Sequence, residues 1–277
     1  MNSEYSQKLG ELREEIDKID DKILKLLQKR LEIVKSVQEV KSKNGEEFFI
    51  KSAREADMIK NLLTKTKIMP KSAIIDIWRK IITSANCLEQ PLQIALHNPN
   101  HITDFKYILR QYYADFVPII NQNNIADVIF DIEKNKSQIA VFALPNNDSD
   151  NICDNWWIHM CNNKAGLKVF ARIPFIPQEN SINLVALAKK PQEKSQKDRS
   201  LLCIETTHET SKSAVLTILK DIEISANILK TSRIKSIGNA LFHLVELDGY
   251  FDENSQEIEH LQKKHRFFVN VLGCYAA

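Results

Sequence analysis

Leu12-Arg13-Glu14-Glu15-Ile16-Asp17-Lys18-Ile19-Asp20-Asp21-Lys22-Ile23-Leu24-Lys25-Leu26-Leu27-Gln28-Lys29-Arg30 is the stretch that decides the fold. Its apolar residues Leu12, Ile16, Ile19, Ile23 and Leu27 recur at three- and four-residue steps, and the spacing continues through Leu31, Val34, Val37 and Val40. That period lays them along one stripe of an α-helix. No proline interrupts residues 6–43, and Gly45 stands just past them as a stop signal. The predicted helix is roughly 55 Å long. A ninety-residue unit cannot cover such a helix alone, so a second chain is expected against it.

Outward from this helix, a polar connection leads to a second helix near 53–65 and a third over about 71–90, which Pro91 stops. The texture then changes. Short apolar runs (Leu92–Leu96, Phe116–Ile120, Ile139–Leu144, Leu167–Ala171, Leu184–Ala188) alternate with helical patterns near 102–113, 123–134 and 153–162. That alternation reads as α/β. A polar stretch, 191–199, has the composition of a linker. Beyond it the pattern gives strand 200–206, helix 211–221, strands 224–234 and 240–248, helix 254–265 and strand 267–274. This βαββαβ order is that of a small ferredoxin-like sandwich. The expected organisation is multi-domain: an all-α three-helix unit at 1–91, a reduced α/β region at 92–190, the linker at 191–199 and the βαββαβ unit at 200–277.

Composition removes several classes of function. With 27% charged residues and 43% hydrophobic ones, the chain reads as a soluble folded protein. A net charge of +2 makes no electrostatic case for nucleic acid. No apolar run is long enough to span a membrane and no signal-peptide pattern opens the chain, so a cytoplasmic location is expected. Five cysteines (87, 153, 161, 203, 274) lack CxxC spacing and read as reduced thiols. Cys153, His159 and Cys161 have metal-ligand chemistry but no fourth partner at a suitable spacing, and no metal site is expected. No glycine lies between Gly45 and Gly166, which argues against glycine-rich phosphate-cradling loops.

The first ninety residues hold fourteen lysines but only four arginines: Arg13, Arg30, Arg54 and Arg79. Arginine in a lysine-rich region points to places where a planar fork must grip a carboxylate, although a solvated helix arginine is the ordinary explanation. Arg30 and Lys41 are eleven residues apart and share a helix face within about 20°. Arg13 lies roughly 26 Å before Arg30 and about 100° around the helix. It cannot share a small ligand with Arg30 on one straight helix. If both are functional, Arg13 serves the site of another subunit.

The residues from Leu12-Arg13 through Ile16-Asp17, Ile19-Asp20, Leu26-Leu27 and Arg30, then Lys41, Ala53-Arg54-Glu55, Ile77-Trp78-Arg79-Lys80-Ile81-Ile82 and Leu88-Glu89, resemble the helical chorismate mutase family over 9–91. The resemblance implies an intertwined homodimer through the N-terminal helices, with two sites. Each site would convert chorismate to prephenate in aromatic amino-acid biosynthesis, on the route to phenylalanine and tyrosine. Carried over, Arg13 of the partner chain and Arg30 bind the two substrate carboxylates, and Lys41 bonds a carboxylate and the ether oxygen. Arg54 lines the site and Glu55 takes the ring hydroxyl. Ala85 stands where many relatives contact substrate through a serine, and Lys51 is cationic where some have an acid. Glu89 falls where the family faces the ether oxygen with Gln or Glu. An ionised carboxylate would repel that oxygen, so Glu89 must carry a proton to donate there. A [3,3] rearrangement of a dianion requires no nucleophile, metal or cofactor; fixed cations and one donor suffice. Three ordinary readings stand beside these. Ser52-Ala53-Arg54-Glu55 has the form of a capping box, Trp78 reads as core, and Arg79 as a surface residue.

The whole chain resembles bifunctional chorismate mutase–prephenate dehydratase, with Val245-Glu246-Leu247-Asp248-Gly249 and Phe268–Tyr275 resembling the end of its phenylalanine-sensing ACT domain. The middle departs from that pattern. His97-Asn98-Pro99-Asn100-His101-Ile102-Thr103 replaces a glycine-containing loop, Pro145-Asn146-Asn147 a Glu-Asn-Ser stretch, and Ser181-Ile182-Asn183 the catalytic Thr-Arg-Phe. Loss of dehydratase activity is therefore expected. In the ACT-like part the family's Gly-Ala-Leu effector loop reads Ser213-Ala214-Val215, and its Glu-Ser-Arg-Pro reads Thr231-Ser232-Arg233-Ile234. An aromatic amino-acid effector is the implied ligand there. Two alternatives remain open: a fully bifunctional enzyme, and a non-catalytic regulatory subunit that uses the mutase fold only to dimerise.

Overall fold

The computed structural model describes residues 3–45, 48, 50–145, 154–161, 166–176, 181–207, 210–234, 240–265 and 267–277. It divides into two units, Met1–Phe49 with Ile81–Pro91, and Ile50–Lys80 with Leu92–Ala277.

The first unit is dominated by helix α1, Ser3–Lys43, whose 41 residues correspond to roughly 60 Å. Glu4 in its first turn and Lys41 and Lys43 in its last complement the helix dipole. At the C-terminus Asn44 donates to Val40 O through its side-chain amide, and Gly45 turns the chain at a φ of 73°. The predicted apolar stripe is present, but little covers it. Leu12, Ile16, Ile19 and Ile23 are each at least half exposed in the single chain. The unit's other segment is the second half of helix α3 (Lys71–Glu89). It buries Ile82 and Ala85 together with the polar Thr83, Asn86 and Glu89.

The second unit contains helix α2 (Ser52–Lys65), the first half of α3 and a mixed α/β layer. In chain order the α/β elements are β1 (Ile94–His97), α4 (Thr103–Tyr113), β2 (Ile119–Gln122), α5 (Ile125–Glu133), β3 (Ile139–Leu144), α6 (Trp156–Cys161), β4 (Leu167–Ile173) and β5 (Asn183–Lys189). Then follow β6 (Asp198–Thr206), α7 (Lys212–Asp221), β7 (Ala226–Ile234), β8 (Ala240–Asp248), α8 (Gln256–His265) and β9 (Phe268–Ala276). The nine strands form one sheet in the order β2-β1-β3-β5-β4-β9-β6-β8-β7. β1 is parallel to both β2 and β3, whereas β5 runs antiparallel to β3 and β4. The last six elements have the βαββαβ order expected from the alternation, with strands ordered β9-β6-β8-β7.

The join between the two halves of this sheet is a parallel contact of β4 with β9 at Val169 and Gly273. Gly273 has a φ of 138°, and a Cβ there would stand 2.3 Å from Val169 O and 2.4 Å from Val169 N. Only a residue without a Cβ lets the strands approach this closely.

Local expectations are corrected in four places. β2 begins at Ile119, three residues later than the apolar run suggests, because Pro118 cannot donate to a ladder; its carbonyl instead accepts from Ile94 N. The capping box does not form. Lys51 is the N-cap of α2, with no side-chain cap, and Ser52 lies inside the first turn. Its hydroxyl accepts from buried Lys190, which also donates to Ile50 O. Trp78 is half-buried, not core. Arg79 is not on the surface: it is 2% exposed. No helix among the described residues is long and apolar enough to cross a membrane.

Candidate active site

In the first unit the last turns of α1 and α3 carry the chemistry. Lys41 Nζ donates to Glu89 Oε1 at 2.9 Å, with side-chain exposures of 15% and 7%. Gln38, one turn before Lys41, donates through Nε2 to Glu89 O at 2.6 Å. Two donors on one face of α1 therefore fix the end of α3. Burial out of bulk water strengthens such charge-assisted bonds. Arg30 is half-buried on the same α1 face, about 16 Å further back. Ala85 lies one turn before Glu89 and is 5% exposed.

Thr83 and Asn86 were not singled out by the sequence reading, yet they are 0% and 6% exposed. With Glu89 they form a buried polar line at three-residue steps along the second half of α3. That line was a legible signal, since buried polar groups must be bonded. Together these residues present a guanidinium, an ammonium, a carboxylate, an amide and a hydroxyl from two helices. Such a set suits a small anion carrying more than one polar group.

Arg13 is exposed on α1, far from Arg30 along the same helix. Arg54 and Glu55 belong to the second unit, where Arg54 is exposed at the start of α2. Glu55 is engaged there: its Oε2 accepts from Arg79 Nη1 at 3.1 Å. Arg79 also donates through Nε to Tyr112 O at 3.3 Å, and its guanidinium lies 3.7 Å over the Tyr112 ring. Burial works against the Arg79 charge, but Tyr112, Glu55 and Tyr113 outweigh it, so the group stays protonated above the ordinary arginine range. The planar fork explains why arginine stands at this position in a lysine-rich segment.

The described edges of the stretches that depart from the dehydratase pattern lie at one end of the sheet. His97 ends β1, and Leu144, just before Pro145, is in register with Asn183 at the start of β5. His97 is 5% exposed, with Nε2 3.5 Å from Asp154 Oδ2. Burial holds its pKa below the usual histidine value, and Asp154 partly opposes this. Asn98 closes the following loop by accepting from Ile102 N and donating to Ile102 O. Asn183 accepts from Arg172 Nε and donates to Ser181 O. Asn146, Asn147 and Cys153 lie outside the described residues.

In the C-terminal part, Ser213-Ala214-Val215 is the first turn of α7. Ser211 caps it by accepting from Ala214 N at 3.2 Å, while Val215 is fully buried in the core. Ser232 lies on edge strand β7 and donates to Asn155 Oδ1 at 2.6 Å; Arg233 beside it is exposed. Among the described residues no group of three or more His, Cys, Asp or Glu is arranged to hold a metal ion.

Residues 12–90 match the family described as chorismate mutase type II. The bifunctional chorismate mutase/prephenate dehydratase of Aquifex aeolicus (strain VF5) is 29% identical over 147 residues, 50% of this chain and 40% of that protein. That of Stutzerimonas stutzeri is 31% identical over 99 residues, 34% of this chain and 27% of that protein. The chain thus spans about two fifths and about a quarter of these two relatives. Among solved structures, prephenate dehydratase from Streptococcus mutans aligns with a TM-score of 0.46 and 15% identity, covering 66% of this chain and 97% of that one. A structure titled GqqA, a novel type of quorum quenching acylases, aligns with a TM-score of 0.50 and 13% identity, covering 67% of this chain and 95% of that one. At such identity the latter likeness shows fold alone. Residues 12–90 are therefore a chorismate mutase type II domain, in a chain homologous over part of its length to bifunctional chorismate mutase/prephenate dehydratases.

Proposed function

We propose that this chain converts chorismate to prephenate in a site built around Lys41 and Glu89. The observation that carries the reading is the buried Lys41–Glu89 pair within the segment that matches the mutase family. Arg30 holds one substrate carboxylate. Lys41 donates to the ether oxygen as the C–O bond breaks, and Glu89, which accepts from Lys41 in the free chain, is assigned as a second donor, a role that needs it to carry a proton. Ala85 leaves apolar wall where a hydroxyl would otherwise contact substrate. Holding the enolpyruvyl arm over the ring removes the orientational part of the barrier. Fixed donors then stabilise the developing charge.

The second carboxylate is assigned to Arg13 of a partner copy. In support, the stripe Leu12, Ile16, Ile19 and Ile23 is uncovered in the single chain, and exposed Arg13 flanks it, about a quarter-turn round the helix. The working form is a homodimer through α1. Arg54 and Glu55 remain assigned to substrate; Glu55 accepts from Arg79 through Oε2, and a carboxylate has further lone pairs with which to take the ring hydroxyl.

The 92–190 region is read as dehydratase-derived and without dehydratase activity, and the βαββαβ segment as an ACT-like module. Its effector candidates are Ser213, Ala214, Val215, Ser232 and Arg233, and its candidate ligand is an aromatic amino acid. Absence of heat on titration with phenylalanine, tyrosine or tryptophan would remove that assignment. Four described cysteines are free thiols, which supports a cytoplasmic location.

The relatives' printed name favours a second reading, a fully bifunctional enzyme. One coupled assay separates the readings: chorismate is supplied, and prephenate and phenylpyruvate are followed for wild type and Arg30→Ala. Prephenate alone, lost in Arg30→Ala, is the expected result. Phenylpyruvate would establish the bifunctional reading, and neither product would leave a regulatory subunit.

A further inference from the structure

Within the second unit a hollow of about 300 Å³ opens between the first half of α3, the second half of α4 and the segment following β4. Ile75, Ile108, Phe175 and Ile176 make its wall largely apolar. Two opposite charges, Asp76 and Arg79, also line it, one turn apart on α3. At that spacing an aspartate and an arginine ordinarily pair. Here they do not, because Arg79 is drawn to Glu55 and Tyr112 through Nη1 and Nε. Its Nη2 has no protein partner among the described residues, and the side chain is 2% exposed, so this donor is held in place. Asp76, at the exposed rim, has no hydrogen bond or ion pair among the described residues.

A fixed donor and a separate carboxylate beside an apolar wall select a particular chemistry. A bare carboxylate would meet Arg79 already neutralised by Glu55, and would be repelled by Asp76. A bare amine would satisfy Asp76 and leave Arg79 Nη2 unused. A zwitterion satisfies both without adding net charge. The volume stands at the lower end of small-molecule pockets, suiting one compact ligand. We propose that this hollow binds an apolar α-amino acid, with its carboxylate on Arg79 Nη2, its ammonium on Asp76 and its side chain against Ile75, Ile108, Phe175 and Ile176. The site shares no residue with the Lys41–Glu89 cluster or with the Ser213–Arg233 stretches, and the proposal does not depend on the mutase reading.

The test is calorimetry on the full chain with leucine, phenylalanine, 3-phenylpropionate and phenethylamine. One of the amino acids is expected to bind, and the two phenylalanine analogues lacking one charge to bind at least about tenfold more weakly than phenylalanine. Asp76→Asn, at an exposed position that leaves the fold intact, is expected to weaken amino-acid binding by about tenfold, and Ile108→Trp, which fills the hollow, to abolish it. Circular dichroism checks that both variants are folded. Binding of 3-phenylpropionate as tight as that of phenylalanine overturns the proposal, as does the absence of heat with either amino acid at millimolar concentration. Heat that survives both variants but disappears in Arg233→Ala also overturns it, by moving the ligand to the C-terminal part.

Discussion

Lys41 and Glu89 meet because each closes a helix whose register is set by its apolar residues. Lys41 is three turns past Arg30 on α1, and Glu89 one turn past Ala85 on α3. Lys41→Ala removes the donor nearest the proposed ether oxygen. A loss of about 10²–10³ in kcat is expected, the size found when one transition-state donor is deleted; the disappearance of chorismate absorbance measures it. Glu89 makes a separate prediction. Glu89→Gln keeps a donor at the ether oxygen and should retain mutase activity, whereas Glu89→Ala should lower it. Equal activity of the two variants would eliminate Glu89 as a donor. Arg79 shows the limit of reading residues singly. Its sequence neighbourhood suggests a solvated helix, and only the approach of α4 turns it inward over Tyr112.

At the level of elements, two features are tied to single residues. Gly273→Ala would place a Cβ against Val169 backbone at a φ that side chains rarely adopt. A destabilisation of more than about 2 kcal/mol is expected, read as a lower urea midpoint, because backbone atoms cannot move aside as a side chain would. The second feature is His243 on β8, fully buried between the hydroxyls of Thr206 at 3.1 Å and Thr231 at 2.9 Å. Burial, assisted by the nearby positive charge of Lys212, lowers its pKa to about 4 from 6.5. The unfolded chain therefore takes up this proton at a higher pH than the folded one. The stability contributed by neutral His243 is present above pH 6.5 and lost as pH falls towards about 4. The loss amounts to at most roughly 3 kcal/mol. Urea titrations at pH 7 and pH 4 measure it, and His243→Gln should reduce the difference between them.

For the whole molecule the decisive question is whether Arg13 acts in trans. In a two-fold dimer whose sites each take Arg13 from one chain and Arg30 from the other, mixing inactive Arg13→Ala with inactive Arg30→Ala regenerates one intact site per heterodimer. Random reassortment should restore about a quarter of wild-type activity. If both arginines act within one chain, the mixture stays inactive. Ile19→Asp on the uncovered stripe should convert the dimer to monomer in light scattering and abolish activity together with it.

Much was legible from residues 3–45 and 71–89, because an amphipathic helix encodes its buried face in a local 3.6-residue period that needs no distant partner. The βαββαβ order was equally legible, since apolar alternation and turn residues lie within each element. The neighbour of each side chain was not legible. That Glu55 faces Arg79, that Ser52 serves Lys190 instead of capping α2, and that the strands merge into one nine-stranded sheet depend on segments 24 to 138 residues apart. The sequence by itself therefore determined the helices, the strand order along the chain and the polar residues available for chemistry. Tertiary structure alone decided which of them touch, where the Arg79 hollow opens and how Gly273 joins the sheet, because contacts over such separations follow from packing and not from local pattern.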